Sequence, residues 1–399
     1  MTGSWVEGAD GSGFGIENLP YGVVRPRAGG ARPAVRIGDR ALDLARLAAE
    51  GLLELPAGTF EATTLNRYLA LGPAAWSATR ARLTELLAAG SGAAAPVAGA
   101  LLPLAELETL LPIDVGDYVD FYSSLEHATN VGRIFRPGSE PLPPNWRHLP
   151  VGYHGRAGTV VVSGTPVRRP SGQRAPERAG DAPGFGRERR LDLEIELGFF
   201  TGPGPALGTA IPVGAAAEHI FGFVLVNDWS AREIQRWEYQ PLGPFLGKSF
   251  ATSISPWIVP LAAVGELRVA GPAQRPEPPA YLRSDARWAL DVELCAELNG
   301  TQIAVTNGKH LYWSAAQQLA HATVNGATIA PGDLFASGTI SGPGPGERGS
   351  LLELTWDGRD PLVLDDGTQR TFLEDGDTVV IRGHGGRIAF GEVSGRVTQ

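Results

Sequence analysis

Residues 191–197 read Leu-Asp-Leu-Glu-Ile-Glu-Leu, with apolar and acidic residues in strict alternation. A period of two is the signature of a β-strand. It sets Leu191, Leu193, Ile195 and Leu197 on one face and Asp192, Glu194 and Glu196 on the other. Same-face neighbours stand roughly 6.5–7 Å apart along a strand. Three like charges in such a row repel unless water or a cation separates them. The stretch is therefore either a half-buried strand with a solvated acidic face or half of an oxygen-ligand metal site. The choice depends on whether other carboxylates converge from elsewhere.

Outward from this stretch the texture stays β-rich. Ile220 to Asn227 (Ile-Phe-Gly-Phe-Val-Leu-Val-Asn) reads as a buried strand that ends at Asp228. Short strands are expected at Tyr21–Val24, Ala34–Ile37 and Ala41–Leu44, the last after the turn pair Gly38-Asp39. Helices are expected from Thr64 to Leu69, from Ala74 to Ala89 (stopping before Gly90) and from Tyr312 to Ala322. The Gly/Ala/Ser-rich segment 90–100 reads as a linker, 170–190 as a surface loop and 271–280 as a Pro-rich connection. The 53 glycines and 32 prolines are spread along the chain, which fits many short strands joined by turns. Strands and helices do not alternate regularly, so a mostly antiparallel β-rich main domain is expected over a doubly wound parallel fold.

Bulk composition narrows the function. The 399 residues suffice for two domains, and 43% hydrophobic content supports a sizeable core. A net charge of −9 argues against a nucleic-acid surface or an anionic membrane as partner. The single cysteine, Cys295, permits no intrachain disulfide and no thiolate metal cluster, and its alternating surroundings make it a strand residue. No apolar run approaches the ~20 residues of a membrane span. The N-terminus lacks a signal-sequence pattern, so a cytoplasmic location is expected.

Acids recur at expected strand ends: Asp120 in Asp117-Tyr118-Val119-Asp120-Phe121-Tyr122, Glu194 with Glu196, and Asp228. Together they would make an all-oxygen site, which favours Ca²⁺ or Mg²⁺ over zinc. His127, seven residues after Asp120, is a possible general base if it faces a pocket. Asp228, Arg232, Gln235 and Tyr239 fall at steps of four, three and four, one polar face if 227–239 is helical. Arg232 and Gln235 are suitable oxyanion donors. Gly247-Lys248-Ser249 lacks the full phosphate-loop spacing because position 242 is Leu, which removes nucleotide binding and leaves Lys248 as a cation for a carboxylate or enolate. Ser337 to Gly342 is a small-residue turn that allows close backbone approach to a ligand.

The stretches Asp117–Arg136, Pro144–Arg169, Leu191–Phe200, Glu218–Pro260 and Pro331–Gly342 closely resemble the fumarylacetoacetase family. So do Asn18–Val23 and Thr64-Leu65-Asn66, and the resemblance covers nearly the whole chain. The strings Asp120-Phe121-Tyr122-Ser123-Ser124 and Asn227-Asp228-Trp229-Ser230-Ala231-Arg232 are its most specific part. It implies a mostly β fold: an N-terminal SH3-like barrel domain with helices over 1–112 and a catalytic β-roll domain over 113–399 that dimerises. It implies hydrolysis of a carbon–carbon bond in a β-diketone diacid, giving fumarate and acetoacetate in tyrosine and phenylalanine breakdown.

Carried over by motif, Asp120, Glu194, Glu196 and Asp228 correspond to ligands of a divalent metal, Ca²⁺ or Mg²⁺. His127 corresponds to the base and Glu353 to the group that orients it. Arg232, Gln235 and Lys248 correspond to oxyanion and carboxylate donors, and Tyr122, Arg136, Tyr153, Gln235, Tyr239 and Thr339 to substrate contacts. Lys248 and Thr252 also correspond to positions near a second, structural Mg²⁺. Ala251 stands where the family commonly has glycine, and the loop Pro343–Gly349 is unusually rich in glycine and proline. A related acylpyruvate hydrolase, a 2-oxo acid hydratase or decarboxylase on the same scaffold, and a non-catalytic metal-stabilised dimer are the alternatives. The products formed discriminate among them.

Overall fold

A computed structural model describes residues 3–284 and 288–399. Its largest sheet has thirteen strands. The central part runs from Trp257–Pro260 through Ile220–Asp228, Ile195–Thr201 and Leu334–Ala336 to Tyr118–Phe121 and Gly152–His154. Most neighbours are antiparallel, with parallel pairing of Leu334–Ala336 to Tyr118–Phe121 and of Thr252–Ile254 to Val160–Val162. A second sheet joins Thr301–Asn307, Glu293–Leu298, Thr378–Gly385, Ile388–Thr398 and Val167–Arg168. Cys295 lies in one of its strands, as expected.

Both faces of the central strands are covered, and this follows from their composition. Ile220–Asp228 is buried at all nine positions. Its Phe223 and Leu225 pack into one apolar core together with Ile195, Leu197 and Phe199. The alternate residues Val224 and Val226, together with Phe221 at a register shift, pack into a second core with Phe200 and the N-terminal Tyr21, Val23 and Tyr68. A sheet with two apolar faces can be stable only as the middle layer between two cores.

The N-terminal strands Tyr21–Pro26, Arg32–Ile37, Arg40–Asp43, Leu101–Pro103 and Leu107–Leu110 fall close to the expected β segments. The SH3-like barrel expected there does not close among the described residues. Leu101–Pro103 pairs with Arg40–Asp43, and Leu107–Leu110 pairs with Tyr21–Pro26, but the two are not paired to each other. Tyr21–Pro26 instead continues the large sheet through Tyr21↔Ile258 and Gly22↔Trp257. Its hydrogen-bonding edge is thus shared with a strand of the C-terminal half.

The helices lie close to their expected places. Pro73–Leu87 starts with proline at its first turn, where no N–H is needed. The helix expected from Tyr312 spans Ala315–Thr323 instead, because Ser314 and Gln317 form a reciprocal capping box at its start. Segment 90–100 holds the short helix Ala94–Ala98, where a linker was expected. Segment 170–190 contains the two-stranded ladder Ser171–Arg174 with Gly184–Arg187. No helix of the described residues is long and apolar enough to cross a membrane.

Candidate active site and acidic cluster

The acidic stretch at 191–197 is not one continuous strand. Leu191–Asp192 pairs with Ser230–Ala231, and Ile195–Thr201 pairs with Ile220–Asp228. Leu193 and Glu194 form the break between them. Every residue from 191 to 197 is buried, so the solvated acidic face is ruled out.

Three strands instead bring acids to one place. Asp120 is the penultimate residue of Tyr118–Phe121, Glu196 the second of Ile195–Thr201, and Asp228 the last of Ile220–Asp228. Their ligand oxygens lie within 4.8 Å of one another, all buried. Asp228 Oδ1 accepts from the Thr252 hydroxyl at 2.9 Å, and its Oδ2 accepts from Lys248 Nζ at 2.6 Å. Glu196 Oε2 accepts the Gly338 N–H at 3.1 Å. Asp120 Oδ1 and Glu196 Oε1 are buried without a hydrogen-bond partner among the described residues. Burial, joined by the repulsion of the neighbouring carboxylates, pushes Asp120 and Glu196 well above the usual carboxylate range. Buried oxygens with unused lone pairs, held where protein donors do not reach, are the donor set of a hard divalent cation, which would reverse this electrostatic cost.

Glu194 belongs to the same patch with different partners. Its Oε1 lies 2.9 Å from Arg232 Nη1, and its Oε2 accepts from Lys248 Nζ. Burial opposes its charge, but Lys248, Arg232 and His127 hold its carboxyl below the usual range. For Lys248, burial disfavours the ammonium, while Asp228 and Glu194 outweigh it and keep the group charged.

His127 lies in the first turn of the helix Leu125–Phe135, whose N-cap Ser124 accepts the His127 N–H. Its Nδ1 is 2.6 Å from Glu353 Oε2. Glu353 also accepts from Ser341 Oγ and Ser350 Oγ at 2.9 Å each, and from Asn130 Nδ2 at 2.9 Å. Burial alone would raise the Glu353 pKa, but His127 and these donors lower it. An ionised Glu353 assigns the proton to Nδ1 and leaves the Nε2 lone pair as the ring's basic position. Tyr122 packs edge-on against the imidazole with 5.3 Å between ring centroids.

A cavity of about 430 Å³ opens over these groups. Asp120, Tyr122, His127, Arg136, Tyr153, Glu194, Arg232, Gln235, Tyr239, Lys248 and Thr339 line it, with Val131, Phe135, Val151 and Leu242 among its apolar walls. Glu196, Asp228, Thr252 and Glu353 stand behind that lining and touch it through the bonds above. All fifteen residues singled out in the sequence therefore meet in one region, although they span positions 120 to 353. Gln235 accepts from Arg232 Nη1 with its carbonyl oxygen at 3.1 Å, so its NH₂ is the end it can offer a ligand. Thr339 Oγ1 is buried with no hydrogen-bond partner among the described residues. Tyr153 OH reaches Asp228 Oδ2 only at 3.5 Å.

Two sequence readings need correction. The polar face expected over 227–239 is not one helix: Asp228 ends a strand, the helix runs only from Arg232 to Glu238, and Tyr239 caps it. The residues still converge, because the chain turns directly from strand to helix. Asp192, which the alternation sets on one face with Glu194 and Glu196, is fully buried apart from the acidic cluster and bonded to Arg232 and to backbone N–H groups. Sequence reading also missed Ser350, Ser341 and Asn130. The Ser350-x-x-Glu353 spacing and the three-residue step from His127 to Asn130 were the available signals.

Gly338 shows why the turn after Leu334–Ala336 is built of small residues. Its φ is +75°, and a Cβ would sit 2.0 Å from the Phe121 carbonyl oxygen. Gly338→Ala is expected to cost at least ~2 kcal/mol in denaturant unfolding, from left-handed strain plus overpacking. It should also loosen Glu196, whose Oε2 depends on the Gly338 N–H.

The family model for fumarylacetoacetase N-terminal regions matches residues 17–112, and that for fumarylacetoacetate hydrolase C-terminal regions matches 118–398. The chain is 48% identical to the fumarylacetoacetase of Rattus norvegicus, over 99% of this chain and 98% of the relative. It is likewise 48% identical to that of Homo sapiens, with the same coverage. A solved fumarylacetoacetate hydrolase from Exiguobacterium antarcticum aligns over 95% of this chain and 99% of its own, with a TM-score of 0.57 at 17% identity, and so shares the fold.

Proposed function

The chain belongs to the fumarylacetoacetase family, and from that premise we propose that it hydrolyses fumarylacetoacetate to fumarate and acetoacetate. The observation that supports this most directly is the His127–Glu353 pair, whose imidazole lines the cavity that Asp120 of the buried acidic cluster also lines.

Asp120, Glu196 and Asp228 would hold a divalent cation, Ca²⁺ or Mg²⁺, with Glu194 beside them as the fourth oxygen donor. Bound there, the cation would supply a Lewis acid for the diketone oxygens. Lys248 and Thr252 could serve a second, structural Mg²⁺ only through their oxygens, since an ammonium has no lone pair.

His127 Nε2 takes a proton from water as the water oxygen bonds to the carbonyl carbon of the fumaryl group, the carbon that becomes a carboxylate of fumarate. Glu353 stabilises the imidazolium that results and keeps the ring in one tautomer. Arg232, Gln235 and Lys248 present N–H donors to the oxyanion of the tetrahedral species. The bond to the acetoacetate carbon then breaks, and its electron pair leaves as an enolate. The proton on His127 is the one at hand for that carbon. Arg136 is the cation placed to grip a substrate carboxylate, with Tyr122, Tyr153, Tyr239 and Thr339 as the neutral hydrogen-bonding walls.

The same reading includes an SH3-like unit over 1–112, a catalytic β-roll over 113–399, a homodimer and a cytoplasmic location, without nucleic-acid or membrane partners. The two-unit division is supported by the two cores, one drawn wholly from residues 121–397 and the other centred on N-terminal residues.

The test is the loss of diketone absorbance on adding fumarylacetoacetate, with and without a chelator. Equal amounts of fumarate and acetoacetate are expected, with turnover suppressed by chelation. Release of CO₂, or a hydrated product in place of two acids, would overturn the reading.

A further inference from the structure

Asp192 does not line the cavity and is not part of the acidic triad, yet both oxygens of its carboxylate are fully engaged. Its Oδ1 accepts the N–H of Leu193 at 2.8 Å and of Leu351 at 2.7 Å. Its Oδ2 accepts the N–H of Leu352 at 2.9 Å and Arg232 Nε at 2.9 Å, with Arg232 Nη2 at 2.8 Å from the same oxygen. The residue is 0% exposed and Arg232 is 3% exposed. Leu351 and Leu352 open the short helix whose next residue is Glu353. Arg232 opens the helix Arg232–Glu238. One carboxylate thus ties the segment that carries the His127 partner to the Arg232 guanidinium in the cavity lining.

All its neighbours at these distances are donors. Only an ionised carboxylate can accept from every one of them; an amide would turn an NH₂ against other N–H groups. The remaining Arg232 nitrogen, Nη1, reaches Glu194 Oε1 at 2.9 Å and Gln235 Oε1 at 3.1 Å. The guanidinium is therefore held in one plane by acceptors on both sides. A buried ion pair of this kind is weak evidence for stability in itself. What it sets is geometry.

We propose that Asp192 is a positioning residue that fixes the spacing between the base, His127 held by Glu353, and the oxyanion donor Arg232. The proposal rests on the roles given to those residues in the hydrolysis above. A misplacement of about 1 Å at such a site can cost about 10²-fold in rate.

Asp192→Asn is expected to lower kcat by about 10²-fold, with KM and metal content per chain close to those of the unaltered enzyme. Arg232→Lys should be impaired as well, and the double variant should fall no lower than the worse single one, since both break the same link. A normal kcat for Asp192→Asn, or losses that multiply in the double variant, would overturn the proposal. Should Asp192→Asn fail to fold, amide hydrogen exchange in Arg232→Lys reads the same link from its other end. Faster exchange at Leu351 and Leu352 supports it, and unchanged protection there overturns it. If His127→Ala and Arg232→Lys both keep full turnover, the site reading itself fails. If both are impaired while Asp192→Asn is normal, only the coupling fails.

Discussion

His127→Ala is expected to lower kcat by about 10²–10⁴-fold, the range typical of a lost general base. The chain should stay folded, because the carboxylate that loses its imidazole partner is not left bare. Glu353 keeps the hydroxyls of Ser341 and Ser350 and the amide of Asn130. Losing one hydrogen-bond partner to a buried group costs roughly 1–3 kcal/mol. Divalent metal content should be unchanged, since His127 is not among the acids whose oxygens converge. Steady-state turnover, a thermal melt and elemental analysis of one preparation check all three. Retention of most of the activity would remove His127 as the base. Loss of metal together with activity would move its role to the acidic cluster.

Asp228→Asn should release the cation and abolish turnover. Removing a partner that merely orients a metal ligand typically costs 10–100-fold in affinity or activity, and removal of a ligand's own charge should cost at least that. The amide is also mismatched to its surroundings. Asp228 accepts from Thr252 on one oxygen and from Lys248 on the other, so an NH₂ on either side would face a donor. The melting temperature gives a second readout. A ligand present at 100 times its dissociation constant stabilises the folded state by about 2.7 kcal/mol. The unaltered enzyme should therefore melt higher with added Ca²⁺ or Mg²⁺, while Asp228→Asn should respond little. An unchanged metal content in Asp228→Asn would refute its assignment as a ligand.

Several strands were legible because their periodicity or apolar content is local. Tyr21–Pro26, Arg32–Ile37 and Ile220–Asp228 lie at or near the positions their residues suggest. Element ends were less legible. The helix at Ala315 starts three residues after Tyr312 because Ser314 and Gln317 satisfy its first amides, a side-chain effect that apolar spacing does not register. The face of Asp192 was legible, but its partners were not. Leu351, Leu352 and Arg232 meet it across 40 residues or more of chain. Glu194 illustrates the same limit, for its partners Arg232 and Lys248 lie 38 and 54 residues on.

From sequence alone came the β-rich class, the exclusion of disulfides and thiolate metal sites, and, through specific strings such as Asn227 to Arg232, the family and the residues that the fold then gathers around one cavity. Periodicity could say that Glu194 and Glu196 share a face, but not what that face meets. Tertiary structure decided that. The sheet lies between two cores, so neither face reaches water, and acids at its strand ends must find cations or stay protonated. It also decided which carboxylates gather in the buried acidic cluster and which one, Asp192, ties Arg232 to the Glu353 segment. The physical reason is that strand alternation is written in neighbouring residues, whereas burial and charge pairing depend on segments that only folding brings within about 3 Å.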